Sequence, residues 1–189
     1  MRIISGLNKG KKLIMSNDKT TRPLKDMAKE SIFNVLTHAN YINFHLKDSK
    51  VLDLFSGVGS FGLECISRGS KFVFFLENYP PVLKILKNNI SNLRYENKSK
   101  VIDIDAFKIK SNFFKKDQKF QIIFCDPPYK ERKIELLIEN IIEMDILEKN
   151  GIIIIHRKKD NLDIYPKKFK VIDTKRYGLS KFVFGEKSN

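Results

Sequence analysis

The sequence has few residues that could crosslink the chain or bind a structural metal. Its 189 residues include only two cysteines, Cys65 and Cys125, which lie in apolar segments and lack C-x-x-C spacing. This argues against a disulfide framework and against a zinc site. We therefore expect a protein that binds no metal and works in the reducing cytoplasm.

Long apolar runs are also missing. The longest lies near residues 72–76, far below the roughly 18 residues that a membrane-spanning helix requires. The first six residues lack the apolar core of a signal peptide, and the polar segment 8–12 follows at once. We expect neither a signal peptide nor a membrane partner.

Acidic residues are outnumbered by basic ones, 22 against 36, which gives a formal net charge of +14. A compositional bias would also raise this charge, because Lys outnumbers Arg 29 to 7. The excess is uneven, however: +6 over residues 1–50 and +6 over 151–189, but only +1 over 51–105 and +1 over 106–150. This distribution favours a near-neutral ligand-binding core flanked by ends that contact phosphate.

The first forty residues predict a basic hairpin and a helix that extend the domain formed by residues 41–189. Segments 2–5 and 12–15 are expected to form short strands around a glycine-containing turn. A helix is expected to begin at Pro23. Its apolar face is predicted to comprise Leu24, Met27, Ala28, Ser31, Ile32, Val35 and Ala39.

From residue 51 onward, apolar strand patterns alternate with helical ones. Strands are predicted at residues 51–55, 72–76, 101–104, 120–125, 152–156, 170–174 and 181–184. Helices are predicted at residues 60–67, 81–93, 107–114 and 134–146. This α/β alternation predicts a Rossmann-like, mainly parallel seven-stranded sheet with helices on both faces. The last two strands have no helix between them and are expected to form an antiparallel hairpin at the sheet edge.

A glycine-rich loop follows the first of these strands, with G-x-G-x-x-G spacing over Gly57, Gly59 and Gly62. The same spacing occurs in dinucleotide-binding folds. Asp53, four residues before the first glycine, would repel a pyrophosphate but attract an ammonium group, which favours S-adenosylmethionine (SAM) over NAD. Glu77 ends the next strand, where it would accept hydrogen bonds from ribose hydroxyls, and Asp105 is placed to accept from the adenine amine.

The tetrapeptide Asp126-Pro127-Pro128-Tyr129, here named the D-P-P-Y turn, follows the predicted strand 120–125. Two prolines fix φ and remove two backbone donors, so the turn is stiff. A carboxylate and a rigid carbonyl can together accept both hydrogens of an exocyclic amine and aim its nitrogen at a methyl donor. The tyrosine ring offers a surface on which the base can stack.

With these motifs the chain resembles class I, SAM-dependent amino-methyltransferases, and more closely the bacterial 16S rRNA guanine-N2 methyltransferase family of the RsmD type. The resemblance covers nearly the whole chain. It rests on residues 2–6 with 9–13, 21–23 with 30–36, 53–57 with Gly59 and Gly62, Glu77, Asp105, Ala106, the D-P-P-Y turn, and 177–178. One departure is Ile155, at a position where relatives often carry Glu before His156.

The resemblance implies methyl transfer from SAM to the N2 of one guanine in 16S rRNA, within an assembling 30S subunit, by a monomer. It implies a SAM pocket lined by Asp53, Phe55, Gly57, Gly59, Glu77, Asp105 and Ala106. It also implies that Asp126, Pro127, Pro128 and Tyr129 hold the guanine.

The basic residues carry weaker predictions. Lys9, Lys11 and Lys12 are candidates for contact with RNA phosphates, while Arg22 fits phosphate contact and an exposed helix start equally well. The run 157–159 is also a candidate for RNA contact, although most such runs are solvated surface. His156 is expected to make an ordinary hydrogen bond.

Two other functions stay open. A DNA adenine-N6 methyltransferase can use the same D-P-P-Y chemistry, but such enzymes usually need a further domain to read a duplex and flip a base. A non-catalytic RNA-binding assembly factor could keep the fold without its chemistry. The full set of acidic residues argues against that second alternative.

Overall fold

The structure, a computed structural model, describes residues 1–16, 24 and 26–188. Four α-helices occur among them: α1 (Asp26–His38), α2 (Ser60–Ser67), α3 (Pro80–Asn92) and α4 (Ile134–Glu143). Seven strands occur: β1 (Lys50–Leu54), β2 (Phe72–Leu76), β3 (Ser99–Ile102), β4 (Phe120–Cys125), β5 (Leu147–Lys158), β6 (Phe169–Tyr177) and β7 (Ser180–Lys187). No helix in the described ranges is long and apolar enough to cross a membrane.

The seven strands form one sheet in the order β3-β2-β1-β4-β5-β7-β6. Strands β1 to β5 pair in parallel, whereas β7 pairs antiparallel with both β5 and β6. The predicted fold class, including the antiparallel edge hairpin, is confirmed. The central strands β1 and β4 are mostly apolar because helices cover both faces of a parallel sheet.

Two apolar clusters fill the space between the sheet and its covering layers. On one face α1, α2 and α3 pack around Phe61, whose ring lies 4.0 Å from that of Phe124 and 5.3 Å from that of Phe33, centroid to centroid. On the other face α4 packs against β4 and β5, where the ring of Phe114 contacts that of Phe120 in β4. Both faces of the central sheet are therefore covered by apolar packing, so a ligand site is expected at the ends of the strands.

The strand order reverses at β1, since β2 lies on one side of it and β4 on the other. In doubly wound sheets such a reversal opens a crevice beyond the carboxyl ends of the strands. Asp53, Glu77 and Asp126 lie beside this crevice, because they are at or just after the carboxyl ends of β1, β2 and β4.

Several predicted boundaries and faces are wrong. Helix α1 buries Lys29 and Phe33, while Met27, placed on the apolar face from the sequence, is 77% exposed. The predicted helix start at Pro23 lies outside the described residues. The predicted helix 107–114 is replaced by two short 3-10 turns, Ala106–Lys108 and Ser111–Phe113.

The end of α4 also differs from the prediction. The helix stops at Glu143, and Asp145 takes a left-handed φ of 52° that turns the chain directly into β5. Strand β5 is therefore much longer than the predicted strand 152–156. A left-handed residue cannot continue an α-helix, and the apolar periodicity of residues 134–146 does not reveal that turn.

The N-terminal hairpin forms, although a single antiparallel bridge, Arg2 with Lys12, replaces the two predicted strands. It is fixed to α2 through Glu64, whose carboxylate accepts hydrogen bonds from the backbone of Ile4 (2.7 Å) and Ser5 (2.9 Å). The buried Lys29 ammonium lies 3.4 Å from the same carboxylate. The hairpin thus packs on the helix that begins at the glycine-rich loop.

Candidate active site

A cavity of about 610 Å³ opens at the carboxyl ends of β1, β2 and β4. Its size lies within the range of small-molecule binding sites. It is lined by Met1, Met15, Leu24, Asp53, Phe55, Ser56, Gly57, Val58, Ser60, Phe61, Glu77, Asn78, Tyr79, Phe124, Asp126, Pro127, Pro128 and Tyr129. Two of the three predicted cofactor-binding acids, Asp53 and Glu77, therefore face the same cavity as the D-P-P-Y turn.

The two loop glycines do different work. Gly57 has a φ of 55°, and an added side chain there would meet no protein atom, so its backbone is open to a ligand. Gly59, at φ 89°, begins α2, and a Cβ would lie 2.6 Å from the Cδ1 atom of Leu86. Gly59 permits close helix packing and does not line the cavity.

Asp53 is buried beneath this loop, with 1% of its surface exposed. One carboxylate oxygen accepts a hydrogen bond of 2.9 Å from the backbone N–H of Gly62 in α2. Burial raises the pKa of Asp53 well above its usual range, and the nearby carboxylates of Asp126 and Glu77 add to the increase, while the Gly62 N–H opposes it. A buried carboxyl in this setting is stabilised as an anion by a cationic ligand group.

Glu77 is held at the cavity wall by three backbone N–H groups. Its Oε2 accepts from Gly57 at 2.8 Å, and its Oε1 accepts from Asn78 and Tyr79, both at 2.9 Å. These bonds tie the glycine-rich loop to the end of β2. Each carboxylate oxygen has about two acceptor sites; Oε1 uses both, so Oε2 can still accept a hydrogen bond from a ligand hydroxyl.

The remaining predicted cofactor residues divide into one that lines the cavity and two that do not. Phe55 lines it in a left-handed conformation, φ 59°, which is unusual for a bulky residue. Its ring contacts that of Phe107 with centroids 5.6 Å apart. Asp105 accepts from the Phe107 N–H at 3.0 Å, and neither it nor Ala106 lines the cavity. Their contact with a ligand stays a prediction.

The D-P-P-Y turn carries a polar network that the sequence did not reveal. Oδ1 of Asp126 lies 2.8 Å from Nδ1 of His156, and Nε2 of His156 lies 2.9 Å from the Ser180 hydroxyl. That hydroxyl is also 3.0 Å from the Tyr129 hydroxyl. The His156 ring stacks on Phe182 with centroids 4.4 Å apart. The network joins both polar members of the turn through β5 and β7.

Sequence reasoning missed these partners because they come from distant segments. His156 could have been identified as a candidate, because a polar residue near the end of a strand that pairs with β4 lies beside the turn. Ser180 gave no such signal. Ile155, which departs from the RsmD-type pattern expected from the sequence, is fully buried in the apolar cluster under α4.

One basic candidate for RNA contact is wrong. Arg157 is 1% exposed, and its guanidinium points into the protein behind the D-P-P-Y turn. Lys9, Lys11 and Lys12 are exposed on the hairpin. Met1 and Met15, at the two ends of the hairpin, line the cavity, whereas its turn contacts Ser67 at the far end of α2. The prediction for Arg22 falls outside the described residues.

The geometry fits SAM. An open glycine backbone, a buried carboxyl suited to an ammonium group, and a fixed carboxylate suited to ribose hydroxyls line a cavity of suitable size. Among the described residues, no positively charged side chain lines the cavity to balance the charge of a phosphate-bearing cofactor.

Comparison with known proteins agrees with this geometry. Residues 1–186 match the family described as Conserved hypothetical protein 95. The chain is 33% identical to the ribosomal RNA small subunit methyltransferase D of Haemophilus influenzae, over 95% of this chain and 90% of that protein. It is 34% identical to a Bacillus subtilis protein named "Putative rRNA methyltransferase YlbH", over 85% and 84% of the two chains.

The solved structures include a crystal structure of a "putative methylase" from Haemophilus influenzae. It superposes with a TM-score of 0.77 and 29% identity, over all of this chain and 98% of that one. The fold and cavity therefore define a class I methyltransferase whose cofactor is SAM. Within that class, the chain belongs to the RsmD family, the ribosomal RNA small subunit methyltransferase D proteins.

Proposed function

We propose that this protein transfers a methyl group from SAM to the exocyclic N2 of a guanine in 16S rRNA, and that this guanine is nucleotide 966. The observation that carries the proposal is the common cavity, in which the acidic cofactor residues and the D-P-P-Y turn face each other. Relatives named as small subunit rRNA methyltransferases support the substrate class.

The cofactor would be held by residues from three neighbouring segments. Asp53 would accept hydrogen bonds from the ammonium group of SAM, and Glu77 would accept them from its ribose hydroxyls. The open backbone at Gly57 would let the cofactor approach the loop closely. Phe55 supplies an apolar wall. When bound, SAM supplies a methyl group activated by the positive sulfonium.

The D-P-P-Y turn would orient the guanine. The carboxylate of Asp126 and the carbonyl of Pro127 accept the two hydrogens of the amine, and the ring of Tyr129 stacks on the base. The amine nitrogen then forms a bond to the methyl carbon as the carbon–sulfur bond breaks, and one proton leaves the nitrogen. Asp126, in contact with His156, is placed to accept that proton.

The basic ends would bind the nucleic acid around this site. Lys9, Lys11 and Lys12 are exposed on the hairpin whose ends, Met1 and Met15, line the cavity, and they would contact RNA phosphates farther from the target base. In this proposal the protein acts as a monomer in the cytoplasm, on 16S rRNA in an assembling 30S subunit.

The test is methyl transfer from SAM carrying a radiolabelled methyl group. The purified protein is incubated with 30S subunits, free 16S rRNA and double-stranded DNA, and the products are digested to nucleosides. The proposal predicts label in N2-methylguanosine from the rRNA substrates. A fragment containing guanine 966 should carry that label.

Two outcomes would reject the proposal in different ways. Label in N6-methyladenine of DNA would support the DNA methyltransferase. SAM binding without transfer to any of the three substrates would support the non-catalytic assembly factor.

A further inference from the structure

A buried arginine lies directly behind the D-P-P-Y turn. Nη1 of Arg157 donates to the carbonyl of Pro128 at 3.2 Å, and Nη2 donates to the carbonyl of Glu131 at 2.6 Å. Its Nε donates to Oδ1 of Asp163 at 2.9 Å. One guanidinium therefore bonds both the turn, at Pro128, and Glu131, the second residue after the turn.

The charge of Arg157 is balanced within the same cluster. The Asp163 side chain is buried and bonds Arg157 through one oxygen, while the Lys181 ammonium lies 3.4 Å from its other oxygen. A buried charge is tolerated only when it is paired and hydrogen-bonded. Because Arg157 lies on β5 and Lys181 on β7, the cluster anchors the turn to the sheet.

Asn161 adds a second contact from the loop after β5. Its side-chain amide donates to the carbonyl of Tyr129 at 3.0 Å, and its own carbonyl accepts a hydrogen bond from Lys181. The carbonyls of Pro128 and Tyr129 are thus both drawn back toward the protein. Within the described part of the chain the carbonyl of Pro127 receives no hydrogen bond, and Pro127 is one of the residues that line the cavity.

We propose that Arg157 and Asn161 are positioning residues that set which carbonyl of the D-P-P-Y turn is presented to the substrate. By holding the carbonyls of Pro128 and Tyr129, they leave that of Pro127 to act with Asp126 on the amine. This proposal rests on the proposed methyl transfer to an amine. It assigns a role in rate to residues that touch neither the cofactor nor the base.

The sharpest variant is Asn161→Asp, which keeps the size of the side chain but removes the donor to Tyr129. Leu162→Ala, at the next residue, is the matched control because the Leu162 side chain is almost fully exposed. Asn161→Ala and Arg157→Lys complete the set. If Arg157→Lys does not fold, the two Asn161 variants still decide the proposal.

The measurements are kcat and KM for 16S rRNA methylation, SAM affinity by calorimetry, the thermal midpoint, and amide hydrogen exchange of the peptide covering residues 126–132. For Asn161→Asp we expect kcat to fall about tenfold or more, because small displacements of reacting groups slow transfer strongly. The KM for RNA and the SAM affinity should stay within about twofold. Exchange should accelerate in the 126–132 peptide and stay unchanged in β1.

The outcomes separate this proposal from the one on which it depends. If the unmodified protein methylates no guanine, the proposed function fails. If it does, and Asn161→Asp matches Leu162→Ala in kcat, the positioning role is rejected. A variant that loses SAM affinity and kcat in equal proportion also rejects it, since that pattern indicates a general structural role.

Discussion

Nδ1 of His156 lies 2.8 Å from Oδ1 of Asp126, across the boundary between β5 and the D-P-P-Y turn. The contact places one oxygen of the carboxylate beside the imidazole, and in the proposed function the other oxygen accepts from the substrate amine. Because the imidazole is also fixed by Ser180 and by stacking on Phe182, it holds the carboxylate in one orientation. In the proposed function, this contact would orient Asp126 before the base binds.

Replacing His156 with Phe should slow methyl transfer without weakening cofactor binding. The aromatic ring can still stack on Phe182, but Asp126 and Ser180 lose their shared partner. We expect kcat to fall about tenfold to hundredfold, since a free carboxylate samples several orientations. Steady-state methylation kinetics and SAM calorimetry measure the two quantities. The control is His45→Phe, at an exposed site. An unchanged kcat for His156→Phe would show that the contact between His156 and Asp126 does not affect the reaction.

Replacing Asp53 with Asn should weaken SAM binding and stabilise the folded protein. The raised pKa of Asp53 means that the folded protein disfavours its charged form, so the neutral amide should increase the free energy of unfolding at pH 8. The loss of a charge-assisted hydrogen bond should weaken SAM binding about tenfold or more. Urea unfolding and calorimetry check the pair of effects.

The same carboxyl predicts a pH dependence of SAM affinity. A proton on Asp53 competes with the ammonium group, so the affinity should fall as the pH drops through the raised pKa. The Asn variant should lose that part of the dependence. Parallel pH profiles for the two proteins would contradict the assignment of the ammonium to Asp53.

Replacing Glu64 with Gln should loosen the N-terminal hairpin and destabilise the whole domain. Its carboxylate accepts from Ile4 and Ser5 and lies beside Lys29, which is fully buried and whose pKa burial lowers. Removing one member of a buried ion pair costs about 3 kcal/mol. Urea unfolding should show one cooperative transition at lower denaturant for Glu64→Gln.

That result would also support our proposal that residues 1–40 extend the same domain as residues 41–189. Glu30→Gln, exposed on α1, serves as the control and should leave stability nearly unchanged. A separate, early transition of the N-terminal segment would instead show that the hairpin folds independently.

Replacing Lys9, Lys11 and Lys12 together with Ala should raise the KM for 16S rRNA and leave kcat nearly unchanged. Each phosphate contact contributes about one unit to the slope of log affinity against log salt, so that slope should fall by up to about three units. Filter binding over a series of salt concentrations measures it.

The matched control removes the same charge from the near-neutral part of the chain. Lys84, Lys87 and Lys98 are exposed on and after α3, and their triple Ala variant should keep most of the salt dependence. Equal losses from the two triple variants would indicate attraction by net charge rather than by a defined surface.

The sequence predicted the sheet well because its central strands are short, apolar and separated by helical patterns. The ends of Phe72–Leu76 and Phe120–Cys125 agree with the prediction to the residue. The acidic residues of the cavity could also be placed, since the carboxyl ends of parallel strands meet at one edge.

The buried charged residues that support the site and the hairpin could not be predicted in this way. Arg157 belongs to a run of three basic residues that looks like solvated surface, and only the pairing of β5 with β7 shows that it is buried. Lys29 was missed for the same reason, because its burial depends on Glu64 from a distant helix. Such pairs are formed by tertiary contacts that periodicity does not encode.

The most direct test of the central claim compares the unmodified protein with Asp126→Ala in one experiment. SAM affinity is measured by calorimetry, and N2-methylguanosine in 16S rRNA is measured by nucleoside analysis. We predict that Asp126→Ala abolishes N2-methylguanosine formation while SAM affinity stays within about tenfold. If the variant retains turnover, or loses SAM binding in proportion to activity, then the D-P-P-Y turn does not hold the target guanine.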